Sequence, residues 1–173
     1  MGTKTVWKID PTHTEIGFKV KSMMISTVSG HFEKFEGSAE ADDDSFKVAN
    51  FNFTAQINSL DTNNQDRDNH LKSDDFFNVA QYPQLKFVSK SYNGDKLKGN
   101  LTIRDVTKEI SLDVDYNGTV IDPYGQTKAG FEMEGSLSRK DFNLKWNVVT
   151  EAGSIVVGDK VKLVISAQFI KQE

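Results

Sequence analysis

Residues 63–77 form a charged stretch rich in side chains that proteins use for metal binding and catalysis. The charged residues at its centre fall within seven positions: Asp66, Arg67, Asp68, His70 and Lys72. The alternating acids begin the register of an EF-hand calcium loop, which needs Gly at its sixth position and Glu at its twelfth. The chain has Leu71 and Phe77 at those positions, so the stretch is not an EF-hand.

The other reactive side chains form no recognisable catalytic or metal-binding pattern. His13, His31 and His70 lie in three separate segments without ligand spacing, and the chain has no cysteine. Disulfides, thiol nucleophiles and thiolate metal sites are therefore excluded. The sequence also lacks the G-x-S-x-G motif of α/β-hydrolases and a glycine-rich phosphate loop. We predict no catalytic residue, no metal site and no cofactor.

Most of the chain alternates apolar and polar residues with a period of two. In residues 49–58 every odd position is apolar and every even position is polar. Similar runs lie at 16–20, 97–103, 110–116, 131–137 and 161–169. This alternation is typical of antiparallel strands with one buried face, because buried parallel strands read as continuous apolar runs. Turn signals separate the runs at 41–45, 92–95, 116–118 and 122–125.

We expect residues 1–173 to form a single all-β domain, since the chain is long enough for one core and has no low-complexity linker. A sheet of about eight strands must close or fold over to protect its edges. An extended antiparallel β-barrel is the first expectation, and a two-sheet sandwich is the second.

A short helix is predicted within residues 61–79, where the alternation stops. Asp61 or Thr62 is the expected cap, and the pairs Asp66–His70 and Asp68–Lys72 have the i,i+4 spacing that supports a helical turn. The apolar residues of this segment do not form a full stripe. We therefore expect the helix to lie across one open end of the barrel, with its charges on the rim.

The predicted interior is rich in phenylalanine but also contains small residues. The inward positions include Gly17, Ala49, Ala55, Gly99, Gly135 and Ala167. Small residues near a barrel axis either leave a cavity or match the taper of a packed core, and the pattern alone favours neither. Arg139 continues an inward-facing series, and a buried arginine needs an anion. Its expected partner is Asp141, another carboxylate or an anionic ligand headgroup.

The overall charge and hydropathy limit the classes of partner. The net charge is −4, which argues against nucleic acid or an anionic membrane as a general partner. No apolar run reaches the length of a membrane-spanning helix, so we expect no stable membrane insertion. The N-terminus has no apolar signal segment, which favours a cytoplasmic location, or a periplasmic one if a signal peptide was removed. The sequence does not decide between a monomer and a homodimer.

Several short motifs, in order along almost the whole chain, resemble the YceI-like polyisoprenoid-binding proteins. The early motifs are Trp7-Lys8-Ile9-Asp10, Pro11-Thr12-His13, Ser29-Gly30-x-Phe32 and Ser59-Leu60-Asp61-Thr62. The most specific block is Arg67-Asp68-x-His70-Leu71-x-Ser73-x-Asp75-Phe76-Phe77, followed by Tyr82-Pro83. The last motifs are Gly99-x-Leu101-Thr102-Ile103 and Arg139-x-Asp141-Phe142. Asn143 follows where the family usually has Gly, and Asn tolerates the same backbone conformation.

The resemblance implies a lipocalin-like barrel that binds a polyisoprenoid, an isoprenoid quinone or a similar long-chain lipid for transport or storage, without catalysis. The residues expected to contact the lipid tail are Phe18, Val20, Phe32, Phe51, Phe53, Phe77, Phe87, Leu101, Ile103, Phe131, Met133, Trp146, Leu163 and Phe169. Arg67, His70 and Arg139 are expected at the headgroup or lid. The alternatives are a ligand-free barrel that acts in stress or protein interaction, and an enzyme that acts on a lipid-like substrate.

Overall fold

The computed structural model describes residues 4–23, 25–144 and 157–173. The strands are β1 (Thr5–Ile9), β2 (Glu15–Ser22), β3 (Ser26–Phe32), β4 (Phe35–Ala41), β5 (Ala49–Gln56), β6 (Leu60–Asp61), β7 (Gln84–Tyr92), β8 (Lys96–Ile103), β9 (Val106–Ile121), β10 (Thr127–Ser138) and β11 (Val157–Lys171). The helix α1 spans Gln65–Lys72, and single 3₁₀ turns span Pro11–His13, Ile57–Ser59 and Arg139–Phe142.

The strands form a closed, eight-stranded antiparallel barrel, as the alternation predicts. The order around the ring is β1-β4-β5-β7-β8-β9-β10-β11, and β11 closes the ring by pairing with β1. Three strands of the ring are extended by a second, shorter set of strands beyond a break in the chain. β2 continues β1, β3 continues β4, and β6 continues β5. The pairing of β11 with β1 joins the two edges of the eight-stranded ring, and the closed barrel excludes the two-sheet sandwich.

Three of the four predicted turns connect strands, but the turn predicted at 116–118 is wrong. Residues Tyr116, Asn117 and Gly118 lie inside β9, where the pairing with β10 shifts register between Gly130 and Phe131. One extra residue on β9 makes this a β-bulge, and Gly118 takes a positive φ of 113° to accommodate it. The Asn-Gly pair therefore kinks a long strand rather than ending it.

One half of the barrel is filled with aromatic rings, and it lies at the N-terminal end of β1 and the C-terminal end of β4. We call this region the packed half, and its largest fully buried rings are Trp7, Phe46, Phe51, Phe131 and Phe169. Ring centroids lie 5.0 Å apart for Phe46 and Phe131 and 5.4 Å apart for Phe51 and Phe131, both in edge-to-face geometry. Such contacts add to the stabilisation from apolar burial.

A buried ionic group braces the bend between β1 and β2. The Asp10 carboxylate accepts hydrogen bonds from the Thr12 N–H at 3.1 Å and from Lys128 Nζ at 3.0 Å, and it pairs with His13 Nδ1 at 2.9 Å. Burial alone would raise the pKa of Asp10, but the hydrogen bonds from Thr12, His13 and Lys128 outweigh burial and hold its pKa far below the usual range. The hydrogen bond to Asp10 also raises the pKa of Lys128.

In the part of the chain that the structure describes, no helix has the length and apolar character needed to cross a membrane.

Candidate functional site

The other half of the barrel contains an apolar cavity of about 130 Å³. We call this region the hollow half. Its lining comes from strands β2, β3, β5, β7, β8, β9, β10 and β11 and from the segment around α1. Among the residues that the structure describes, the lining apart from Arg139 is apolar or glycine: Ile16, Gly17, Phe18, Val20, Phe32, Phe53, Ala55, Leu71, Phe76, Phe77, Leu85, Phe87, Leu101, Ile103, Ile110, Leu112, Leu137, Leu144, Val157, Val161, Leu163 and Ile165.

The structure divides the residues predicted to contact a lipid tail between the two halves. Those that line the cavity are Phe18, Val20, Phe32, Phe53, Phe77, Phe87, Leu101, Ile103 and Leu163. Those buried in the packed half instead are Phe51, Phe131, Met133 and Phe169. Trp146 lies outside the described residues. The alternation identifies inward-facing positions, but it does not show how far each position lies along the barrel axis.

Sequence reasoning missed several lining residues. Ile16 and Ile165 belong to the same inward series as the predicted Phe18 and Leu163, and both face the cavity. Ile110 and Leu112 also face it, and they come from the alternating run at 110–116, from which no tail contact was predicted. The prediction favoured phenylalanine, whereas aliphatic side chains contribute much of the wall. Reading each inward series to its end on the hollow side would have found them.

The inward glycines do not create the cavity. A Cβ built on Gly135 would lie 2.6 Å from Leu112 Cδ2 and 2.8 Å from the Ser111 carbonyl oxygen. A Cβ on Gly99 would lie 2.4 Å from the Phe87 ring. These glycines let a side chain of the adjacent strand lie across them, so they belong to the packing of the wall. Of the small residues predicted to face inward, Ala55 lines the cavity with its side chain. The prediction for Gly17 is wrong, because Gly17 alternates with the inward-facing Ile16 and Phe18 and shares the outer face of β2 with Lys19, so it meets the cavity through its backbone.

Arg139 is the one charged side chain among the described residues of the cavity wall, and it is 5% exposed. Its guanidinium donates to three main-chain carbonyl oxygens, at 2.8 Å to Gly158, 2.7 Å to Leu144 and 3.1 Å to Val157. Burial lowers the pKa of Arg139, and the nearby Asp159 carboxylate acts in the opposite direction. The arginine therefore joins the start of β11 to the turn after β10, a role that the expected pairing with Asp141 did not include.

Asn143 ends the 3₁₀ turn that carries Arg139. Its backbone is left-handed, with φ 59° and ψ 23°, which is the conformation that Gly commonly supplies and Asn tolerates. The Asn143 N–H donates to the Lys140 carbonyl at 3.2 Å, and the Leu144 N–H donates to Arg139 at 3.0 Å. The substitution of Asn for the usual Gly therefore preserves the turn.

Residues 63–77, which we call the lid segment, lie across the hollow half and contribute Leu71, Phe76 and Phe77 to the cavity wall. Helix α1 begins after Asn64, whose side chain accepts from the Arg67 N–H, so the expected caps Asp61 and Thr62 are wrong. The helix presents no buried residue of its own. Its attachment therefore combines the partly buried Leu71, which packs against the core, with polar contacts.

The lid segment is attached through Thr62, which is 3% exposed. Arg67 donates from Nε to the Thr62 hydroxyl at 2.8 Å and from its terminal nitrogen to the Thr62 carbonyl at 2.5 Å. Asp68 accepts from the Thr62 N–H at 2.9 Å and from the hydroxyl at 2.5 Å. Arg67 and Asp68 thus bind a shared threonine, and Asp68 does so in place of the pairing with Lys72 that its spacing predicted.

A second set of contacts holds the end of the lid segment. His70 Nε2 pairs with Asp75 at 2.8 Å, not with Asp66 as its spacing predicted, and its ring lies edge-on to Phe76 with centroids 5.2 Å apart. Arg104, at the β8–β9 turn, donates to the Phe76 carbonyl at 3.1 Å. Arg67 and His70 therefore belong to the attachment of the lid, while Arg139 faces the cavity.

His31, Glu33 and Asp61 form a cluster that the sequence reading did not group. Their candidate ligand atoms all lie within 4.8 Å of one another, because the β3–β6 register places His31 opposite Asp61. His31 Nε2 lies 3.8 Å from Glu33 Oε1. The cluster lies beside the start of the lid segment and outside the cavity lining.

Comparisons with known proteins agree along the length of the chain. A family model described as a YceI-like domain matches residues 7–169. A UPF0312 protein from Staphylococcus epidermidis is 37% identical over 168 residues, which covers 95% of this chain and 97% of the relative. A UPF0312 protein from Staphylococcus aureus is 34% identical over 166 residues, with 95% and 97% covered.

Solved structures share the same fold. A YceI protein from Campylobacter jejuni is 34% identical, with a TM-score of 0.75 and 95% and 96% of the two chains covered. Burkholderia cenocepacia BcnA has a TM-score of 0.70 at 22% identity, covering 92% and 98%. A polyisoprenoid-binding domain from Saccharophagus degradans has a TM-score of 0.72 at 13% identity, covering 96% and 98%. The two more distant structures support the barrel fold alone.

Proposed function

The chain belongs to the YceI-like family, and from that premise we propose that it binds the apolar tail of a long-chain lipid, a polyisoprenoid or a similar amphiphile, in the hollow half of its barrel. The observation that carries this proposal is the apolar cavity beneath the lid segment. A wall of aliphatic and aromatic side chains selects a ligand that has no hydrogen-bonding groups, because any buried polar group would lack a partner.

The energetics favour a hydrocarbon chain. Each buried methylene contributes about 0.8 kcal/mol, and part of that gain is lost in ordering the tail. The cavity of about 130 Å³ is similar in size to an apolar cavity of about 150 Å³ that binds benzene. It therefore accommodates the end of a tail, and a longer tail requires the lid segment to move outward.

The composition of the wall favours binding over chemistry. Arg139 stays protonated and has no lone pair to use as a nucleophile, and the other lining residues within 4–23, 25–144 and 157–173 are apolar or glycine. The alternative of an enzyme that acts on a lipid would require a reactive group against the bound tail. We propose that the lipid leaves the protein chemically unchanged.

Native mass spectrometry of the purified protein, with organic extraction of the same sample, tests this function. We expect one hydrophobic molecule per chain, and we expect delipidated protein to bind an added fluorescent prenyl lipid at the same ratio. The molecular mass of the prenyl lipid recovered after incubation should equal that of the lipid added, because the protein is proposed to leave it chemically unchanged. If the purified protein contains no hydrophobic molecule and does not bind the added prenyl lipid, the proposal is refuted and the ligand-free alternative is favoured.

A further inference from the structure

The turn between β2 and β3 presents apolar side chains to solvent at the hollow end of the barrel. Ile25 is 83% exposed and Met23 is 44% exposed. The Ile25 N–H donates to the Ser22 carbonyl at 3.1 Å and closes the turn. Turns that face water usually carry Gly, Asn, Asp, Ser or Pro, so an apolar turn at this place needs a further explanation.

Lysines surround this turn on the outer face of the barrel. Lys19 of β2 lies directly opposite Lys162 of β11, and both are exposed. Lys21 and Lys160 are the next exposed residues toward the turn on the same two strands. The residues between them, Val20 and Val161, point inward and line the cavity. The lysines are therefore the outer layer of the strands that form the cavity wall.

We propose that this surface docks on an anionic lipid bilayer, with the apolar turn inserted among the lipid headgroups. We define it as the docking patch, which consists of Met23, Ile25, Lys19, Lys21, Lys160 and Lys162. The proposal rests on the lipid-binding function proposed above and adds the place where the lipid is exchanged. It describes a reversible surface contact, which is compatible with the negative net charge because the positive charge is local.

The local charge is complementary to an anionic surface. Residues 16–32 include two lysines and no aspartate or glutamate. Of the nearby carboxylates, Asp159 accepts from the Ser138 hydroxyl and from the Lys140 N–H, and Glu134 lies 3.6 Å from Lys162. A lysine near an anionic membrane contributes about 1 kcal/mol. These two carboxylates offset part of the positive charge, and the remaining excess of lysine with two apolar side chains suffices for a transient contact.

The opposite end of the barrel offers a matched control. The turn between β9 and β10 exposes Ile121 at 72% and Tyr124 at 91%. The outer face of its strands is acidic, because Asp115 of β9 pairs with Glu132 of β10 in register. The two turns expose similar apolar groups but differ in charge, so an anionic bilayer distinguishes them and a general hydrophobic surface does not.

Vesicle flotation tests the proposal, using phosphatidylcholine vesicles with and without phosphatidylglycerol. We expect the full chain to float with the anionic vesicles only, and added salt to weaken that binding. Met23→Ser with Ile25→Ser should weaken it about tenfold, and Lys19→Glu with Lys162→Glu should abolish it. The control pair Ile121→Ser with Tyr124→Ser should change it less than twofold.

Titration with a soluble fluorescent prenyl lipid, without vesicles, separates this proposal from the proposed function. All variants should bind that lipid equally, because no substituted side chain lines the cavity. Flotation without prenyl-lipid binding would support docking and refute the cargo. Failure of the full chain to float, or equal losses from both turns, would refute docking. Capture of a protein by the β2–β3 turn without flotation would also refute it.

Discussion

The packed half and the hollow half belong to the same closed sheet and have the same alternation of apolar and polar residues, but a different connection covers the end of each half. The β4–β5 connection, residues 42–48, inserts Phe46 between Trp7 and Phe131, and we call it the plug loop. The lid segment at the other end contributes Leu71, Phe76 and Phe77 only to the wall.

The two connections are also attached to the barrel differently, the plug loop through a buried ring and the lid segment mainly through polar contacts. In the plug loop, the Asp44 carbonyl accepts from the Tyr116 hydroxyl at 3.0 Å and from the Thr119 hydroxyl at 2.7 Å. Phe46, which is 1% exposed, adds a fully buried ring. The lid segment has polar contacts to Thr62 and no buried residue in its helix. Both connections bury an aromatic ring, but Phe76 of the lid segment, which is 4% exposed, lines the cavity, whereas the ring that packs among the aromatic rings of the packed half is Phe46.

Removing that ring is the most direct way to break the contrast. Phe46→Ala should lower the free energy of unfolding by about 3–5 kcal/mol, because it deletes a buried ring and leaves a cavity beside Trp7 and Phe131. Phe77→Ala, from the partly exposed lid, should cost less than half as much. Urea denaturation of both variants measures the difference. Equal losses would show that the two ends are packed alike.

Adding volume tests the same contrast in the opposite direction. Ala167→Leu places a larger side chain beside Phe131 in the packed half, where overpacking costs roughly 1–3 kcal/mol. Ala55→Leu adds the same atoms at the cavity wall. It should leave the melting temperature unchanged or raised, and it should reduce the binding of a fluorescent prenyl lipid. A large loss of stability in Ala55→Leu with normal lipid binding would contradict the cavity.

The contrast between the halves also marks the limit of what the sequence predicts. Period-two alternation identified the strands and their inward faces, because burial on one face fixes the side-chain pattern. It could not identify Phe46 as a plug, since that residue lies in a polar connection and buries its ring only through tertiary contacts. Phe51 and Phe53 share one strand and one face, and the barrel places the first in the packed half and the second at the cavity.

The lid segment shows the same limit at shorter range. Its charges, helix and position across the barrel followed from the broken alternation and the i,i+4 spacings. The actual partners did not, because Arg67 and Asp68 both bind Thr62, a residue that precedes the helix. Helical spacing predicts neighbours within a helix, but here the stronger contacts join the helix to its approach. The N-cap residue is Asn64, which also lies in the segment that leads into the helix.

The ionic group at the bend should make the bend between β1 and β2 sensitive to acid. The depressed pKa of Asp10 means that its stabilisation is present above the usual carboxyl pKa of about 3.9 and is lost as the pH falls toward the folded value. Asp10→Asn should lower stability at neutral pH by roughly 1.5 kcal/mol, because it removes the negative charge that pairs with Lys128.

Thermal unfolding of both proteins across the acid range measures this effect. The melting temperatures of the unsubstituted protein and of Asp10→Asn should begin to converge below about pH 4 and should draw closer as the pH falls toward the folded pKa of Asp10. A gap that stays constant to the lowest pH would show that Asp10 acts through its shape and not through its charge. Lys140→Gln, at an exposed position on the hollow side, is the matched control for the removal of a charge.

The smallest effect is expected at the lid, and it sharpens the comparison most. Arg67→Ala removes both donors to Thr62 but leaves the barrel ring intact, so global stability should fall by only about 1 kcal/mol. Hydrogen exchange in residues 63–77 should accelerate about fivefold, since that free energy acts on local opening. The amides of the plug loop and of the strands should keep their protection.

The same variant connects lid opening to cargo release. If the lid segment must move before a long tail can leave, Arg67→Ala should release a bound fluorescent prenyl lipid faster than the unsubstituted protein, by about the factor seen in exchange. Asn69→Ala, at an exposed helix position, retains the contacts to Thr62 and should release at the normal rate. Faster exchange with unchanged release would mean that the tail leaves by a path that the lid does not cover. Unchanged exchange would mean that Arg67 does not hold the lid at all.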